Sequence, residues 1–154
     1  MSTFDFSRAT TIDAEAALIH GFIDDFHEWP KWSPWEDVDP DLRRTYAGPD
    51  SGVGAHYAWA GNRKAGEGSM EITSSTPEQI GIRLTFLKPW KASNQVTFTL
   101  APTGHGTEVT WRMTGEHKGF AGMIMKTFGM DRLVGKDFDK GLTRLKATAE
   151  STAA

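Results

Sequence analysis

A chain of 154 residues, 38% hydrophobic and 24% charged, is sized for one soluble globular domain with a real core. Its formal charge of −3 is no basic footprint, so neither nucleic acid nor an anionic membrane surface is an expected partner. The lack of cysteine removes disulfides, thiolate catalysis and Cys-ligated zinc, and six Trp beside two Tyr make the indoles the feature to follow.

The first stretch, Met1 to Ile12, has neither the basic start nor the apolar run of a signal peptide. No run approaches the ~18 apolar residues of a membrane span. A cytoplasmic protein with no stable membrane insertion is therefore expected. Phe4, Phe6, Arg8, Thr10 and Ile12 alternate with Asp5, Ser7, Ala9 and Thr11, which predicts a strand. Asp13 reads as the N-cap of a helix opening at Ala14, with Leu18, Phe22 and Phe26 as its inner face. That helix should fail near Asp25 to His27, because Pro30 biases Trp29 away from helix. Trp29-Pro30-Lys31-Trp32-Ser33-Pro34-Trp35 then predicts a short helix or tight turns packing indoles near one end of a sheet. Those rings are either a structural plug or the lining of a cavity mouth.

Strands with turn punctuation follow. They are Leu42 to Tyr46, Gly54 to Ala60, Ala65 to Ser74, Gln79 to Leu87, Ser93 to Ala101 and Thr107 to Gly115. Each is read as having one apolar face, which in the last five is carried by Tyr57 and Trp59, by Met70 and Ile72, by Ile80, Ile82, Leu84 and Phe86, by Val96, Phe98 and Leu100, and by Val109, Trp111 and Met113. The short links between them mean hairpins and antiparallel neighbours. Leu133 to Glu150 reads as one amphipathic helix. At 100° per residue Val134, Phe138, Gly141, Leu142, Leu145 and Ala149 fall in one stripe. Ser151 to Ala154 should fray. Gly141 in that stripe allows either a close approach to the sheet or cavity room. Lys88 to Ala92 and His117 to Met125 are the expected mobile parts, with Met123, Met125 and Met130 as an adaptable apolar gate. The fold class is α+β: a curved antiparallel sheet gripping the last helix, with an apolar space between them.

The residues Arg8-Ala9-Thr10-Thr11-Ile12, the Trp29 to Trp35 segment, Gly52-Val53-Gly54-Ala55 and Gly61-Asn62 with Gly66-Glu67-Gly68 stand in a telling order. Leu84, Phe86 and Pro89, then Gly106-Thr107 with Val109-Thr110-Trp111, then Gly135 to Phe138 and Gly141-Leu142 complete it. Over nearly the whole chain this order resembles the START-like superfamily, also called the polyketide cyclase or Bet v 1-like (SRPBCC) group, and within it a bacterial polyketide-cyclase-like subgroup. The resemblance implies the helix-grip fold: a strand, two short helices, six further strands and a long C-terminal helix. Members bind lipids, sterols, polyketides or plant hormones, act as cyclases or dehydratases, or activate a chaperone. Fold alone does not choose among these.

The expected ligand-binding residues are Trp32, Trp35, Tyr57, Trp59, Met70, Leu84, Phe86, Trp90, Phe98, Trp111, Met113, Phe138 and Leu142. The same set would also serve as a plain core. The candidate proton handlers are Tyr57, Glu67 and Asp131. Asp131 would have a raised pKa on an apolar stripe, or would cap the helix. Glu67 and Asn62 could equally serve the hairpin turn, and Arg83 and Arg112 should be solvated. The five His show no metal spacing, and no Ser-His-Asp or phosphate-loop pattern stands out, so no metal and no cofactor are expected. The leading expectation is a protein that binds a hydrophobic small molecule. A cyclase or dehydratase comes second and a chaperone-activator-like interaction module third. A homodimer is compatible with all three.

Overall fold

The structure, a computed structural model, describes residues 2–34, 41–62, 66–88, 91–117 and 135–153. Strand β1 (Ser2–Ile12) leads into helix α1 (Ala16–Ile23) and a 3-10 helix (Phe26–Lys31). Six strands follow: β2 (Arg43–Ala47), β3 (His56–Ala60), β4 (Glu67–Thr76), β5 (Gln79–Lys88), β6 (Ala92–Thr103) and β7 (Gly106–His117). Helix α2 (Lys136–Ala153) closes the chain. The seven strands form one antiparallel sheet in the order β1-β7-β6-β5-β4-β3-β2. Every neighbour after β1 is a hairpin partner, as the short turns require. β1 closes the sheet by pairing with β7 from Ser2 opposite His117 to Ile12 opposite Thr107.

The alternation read from the sequence decides which face is covered. Ile72, Ile80, Ile82, Val96, Phe98, Leu100, Val109, Trp111 and Met113 are all buried on the concave face. Helix α2 presents Phe138, Gly141, Leu142, Leu145 and Ala149 to them. It is tied down along its length. Arg144 Nη1 donates to the Ser33 carbonyl at 3.0 Å, and Lys146 Nζ to the Thr11 carbonyl at 2.9 Å.

Several expectations need correction. The first helix begins two residues later than Ala14, with Glu15 at its N-cap and no side-chain cap bond. Asp13 does not cap it; its backbone N–H donates to Glu150 Oε2 at 2.8 Å, so the residue joins β1 to α2 instead. The inner face of α1 is Ile19, Phe22 and Ile23, with Leu18 only half-buried. Spacing counted back from Phe26 fails because the chain switches to a 3-10 turn there. Ser151 to Ala153 are helical rather than frayed. Leu133, Val134, Pro89 and the proposed gate of Met123, Met125 and Met130 lie outside the described residues, as do most of the expected mobile segments.

Candidate ligand-binding site

One end of the space between sheet and helix is packed solid with rings. Trp29 and Trp32 lie with centroids 4.5 Å apart. Trp32 meets Trp111 edge-on at 5.7 Å, Phe98 stacks on Trp111 at 5.0 Å, and Trp111 stacks flat on Phe138 at 4.1 Å. Offset and edge-to-face geometries of this kind add to what area burial alone contributes. Both loop indoles are anchored: Trp29 Nε1 donates to the Ile23 carbonyl and Trp32 Nε1 to the Phe22 carbonyl, each at 2.9 Å. These carbonyls belong to the last turn of α1, which has no further helix to bond them. So Trp29 and Trp32 are a structural plug, while Trp35 lies outside the described residues. Gly141 serves close packing. A Cβ there would stand 2.8 Å from Trp111 Cζ3 and 3.0 Å from Pro34 Cδ, so only glycine lets α2 sit this near the ring.

Toward the other end the packing loosens row by row. Along β5, exposure rises from 0% at Ile80 and Ile82 to 8% at Leu84, and Phe86 is half-buried. β6 and β7 follow the same course, from Leu100 to Asn94 and from Val109 to Met113. The strand register lines up Tyr46, Tyr57, Met70, Leu84 and Asn94 as one transverse row across this open end. Trp59, Gly68, Phe86 and Ala92 form the next. An aromatic strip runs along them. His27 stacks on Tyr46 at 4.1 Å, Tyr46 touches Tyr57 at 5.3 Å, Tyr57 lies 6.2 Å from Trp59, and Trp59 meets Phe86 edge-on at 5.8 Å. The Trp59 indole lies over Gly68, where an added Cβ would come within 2.7 Å of it. Beside the strip a recess of about 210 Å³ opens between Phe26, His27, Tyr46, Pro49 and His56.

The expected site residues therefore divide. Trp32, Phe98, Trp111, Phe138 and Leu142 belong to the filled end. Tyr57, Trp59, Met70, Leu84, Phe86 and Met113 belong to the open end. Trp90 and Asp131 lie outside the described residues. Glu67 is not brought to Tyr57. It alternates with buried Gly68 and Met70, so it stands on the outer face, with Oε2 at 3.8 Å from Lys88 Nζ. The Asn62 turn is closed by backbone, with Gly66 N–H on the Asn62 carbonyl at 2.8 Å.

Three residues on this face were missed, two near this end and Arg8 in the row of Trp111. Tyr46 sits on an edge strand too short for its alternation to be read. Arg8 did carry a signal, since it shares β1's face with Phe6 and Ile12. Its guanidinium lies 4.5 Å from the Phe6 ring centroid, and its Nε 3.6 Å from Asp139 Oδ1. Asn94 alternates with Val96, Phe98 and Leu100 and is buried with them.

The charge pairs whose pKa values are shifted lie elsewhere. Asp5 holds Arg112 through both guanidinium arms on the outer face. That hydrogen bond lowers the Asp5 pKa and raises that of Arg112. Glu150 is likewise lowered, first by its bond from Lys146 and then by the Asp13 N–H. Among the described residues no three His, Asp or Glu converge to hold a metal, and no helix is long and apolar enough to cross a membrane.

Known structures share this architecture. A di-domain ARO/CYC protein of the steffimycin biosynthetic pathway, StfQ, superposes with a TM-score of 0.70 at 13% identity over 98% of this chain and 52% of its own, so the chain matches about half of that protein. The KanY protein superposes at 0.69 with 20% identity over 97% and 99% of the two chains. A protein from Rhizobium leguminosarum does so at 0.71 with 9% identity over 97% and 96%. At these identities the likeness concerns the fold alone. A search of curated proteins finds no significant match. The profile of one family, described as polyketide cyclase / dehydrase and lipid transport, matches residues 3–150, and with nearly its whole length covered the chain belongs to that family.

Proposed function

We propose that this protein binds one hydrophobic small molecule, lipid or polyketide-like, against the open end of its sheet. The single observation that supports this is the gradient in packing. The same concave face is sealed at Trp111 and Phe98 and half-covered at Tyr57, Trp59 and Phe86. Aromatic rings exposed along a concavity offer flat apolar area at little entropic cost to the protein. The family's description as cyclase, dehydrase and lipid-transport proteins and the ARO/CYC neighbour accord with this reading. The test is a screen of fatty acids and polycyclic aromatic ketones by native mass spectrometry and intrinsic Trp fluorescence. Binding that Phe86→Ala and Trp59→Ala weaken supports the assignment, and a screen in which nothing binds ends it.

A cyclase or dehydratase activity is the second reading. It is favoured by the Tyr57 phenol, which stands in the aromatic strip between Tyr46 and Trp59. A phenol so placed can donate a proton or a hydrogen bond to a ligand carbonyl. Turnover of a polyketide-like substrate that survives Tyr57→Phe unchanged would remove Tyr57 from such a mechanism.

A further inference from the structure

The open end has a second feature that no apolar cavity needs. The β6–β7 ladder stops at Gln95 opposite Thr114. Yet β6 continues to Ala92 on the β5 side, and β7 continues to His117 on the β1 side. The two strands therefore part at this end while each remains paired on its other edge. Into the parting opens a recess of about 320 Å³, lined by Arg83, Ala92, Ser93, Asn94, Gln95, Thr114 and Gly115. Arg83, Gln95 and Thr114 reach it from the outer face of the sheet. Asn94 reaches it from the concave face, in the same row as Leu84, Met70 and Tyr57.

Asn94 is only 9% exposed, and its carboxamide makes no hydrogen bond among the described residues. The residue is buried as a whole, but its amide atoms are not sealed from water, so the recess beside it keeps them accessible. An Asn among Leu84, Val96 and Phe98 has no packing role that a leucine would not fill better. A carboxamide offers two N–H donors, and Arg83 lines the same recess. We infer that the β6–β7 parting is a polar subsite, in which the Asn94 carboxamide donates to a carbonyl or carboxylate oxygen of a ligand whose apolar body lies along Leu84, Met70 and Tyr57. Arg83 at the outer mouth adds attraction where that oxygen is charged. This rests on the binding reading above and supplies its missing orientation: an apolar strip grips a ligand, and the amide decides which end points outward.

Three probes sharing one ring system separate the terms: naphthalene, 2-acetonaphthone and 2-naphthoate, titrated into ¹⁵N-labelled protein and followed by NMR. In the wild type the Asn94 side-chain NH₂ signals shift with the ketone and the carboxylate but not with naphthalene. Asn94→Leu weakens the ketone and the carboxylate by about tenfold and leaves naphthalene within about twofold, as expected for one hydrogen bond lost from a buried site. Arg83→Gln weakens the carboxylate alone. Asn94→Ala repeats the affinity pattern without added bulk. If naphthalene weakens as much as the ketone in both variants, the residue acts by shape and the inference is overturned. Unchanged affinities in both overturn it equally, while binding of naphthalene leaves the broader reading standing. If the wild type binds none of the three, the broader reading falls with it.

Discussion

The two ends of one concave sheet face differ in what covers them, though the same strands supply both. At one end α2, α1 and the 3-10 helix converge, and Trp29, Trp32, Phe98, Trp111 and Phe138 interlock. At the other end the same alternation puts Tyr57, Trp59 and Phe86 on the concave face, and they remain half-buried. Periodicity is identical in both places. The lesson is that an apolar strand face specifies which side is inward, while the elements above it decide whether that side becomes core or binding surface.

The contrast can be broken most forcefully at the filled end. Trp111→Ala should cost about 3–5 kcal/mol, because a buried indole leaves a cavity its stacked neighbours cannot close. A thermal or urea melt measures this. Gly141→Ala comes next. Helix propensity favours Ala by about 1 kcal/mol, but the new Cβ would press on Trp111 and Pro34, and overpacking costs typically about 1–3 kcal/mol. A net loss of about 1 kcal/mol is expected in a urea titration, and a net gain would show that α2 has room to shift. At the open end Phe86→Ala should cost less than about 2 kcal/mol, since the ring is already half in water. Its effect on affinity for an apolar ligand should be the larger one, about tenfold. A stability loss equal to that of Trp111→Ala would erase the distinction between the two ends.

The smallest effect is electrostatic. Asp5 and Glu150 have lowered pKa values in the folded chain, so the stability they contribute is present above the ordinary carboxylate range and lost as pH falls through their folded values. Asp5 and Arg112 are both exposed, and Arg112→Gln should therefore leave the melting temperature at neutral pH nearly unchanged. Its melting temperature should fall less steeply with acid than that of the wild type. A steep difference at neutral pH would mean that the outer face matters more to the sheet than its exposure suggests.

Much of the fold was legible because its signals are local. Ile80, Ile82, Leu84 and Phe86 announce a one-sided strand at period two, and Phe138, Leu142, Leu145 and Ala149 announce a one-sided helix. The site was legible only in part. Glu67 looked eligible as a type of residue, but one step of strand register turns it outward to Lys88. Asn94 was passed over because a single amide among apolar alternates reads as noise until its neighbours are known. Asp13 looked like a helix cap, and a contact 137 residues away in sequence took it for Glu150 instead.

By itself the sequence determined the order of the elements, the inward face of each strand and the apolar stripe of α2, since these depend on spacing along the backbone. It also carried the family, through the order of its motifs. Only the tertiary structure decided where that inward face is sealed, that Gly141 admits a tryptophan rather than a ligand, and that β6 and β7 part beside Asn94. Those outcomes depend on which residues meet across long stretches of chain, and no period within one segment encodes such a meeting.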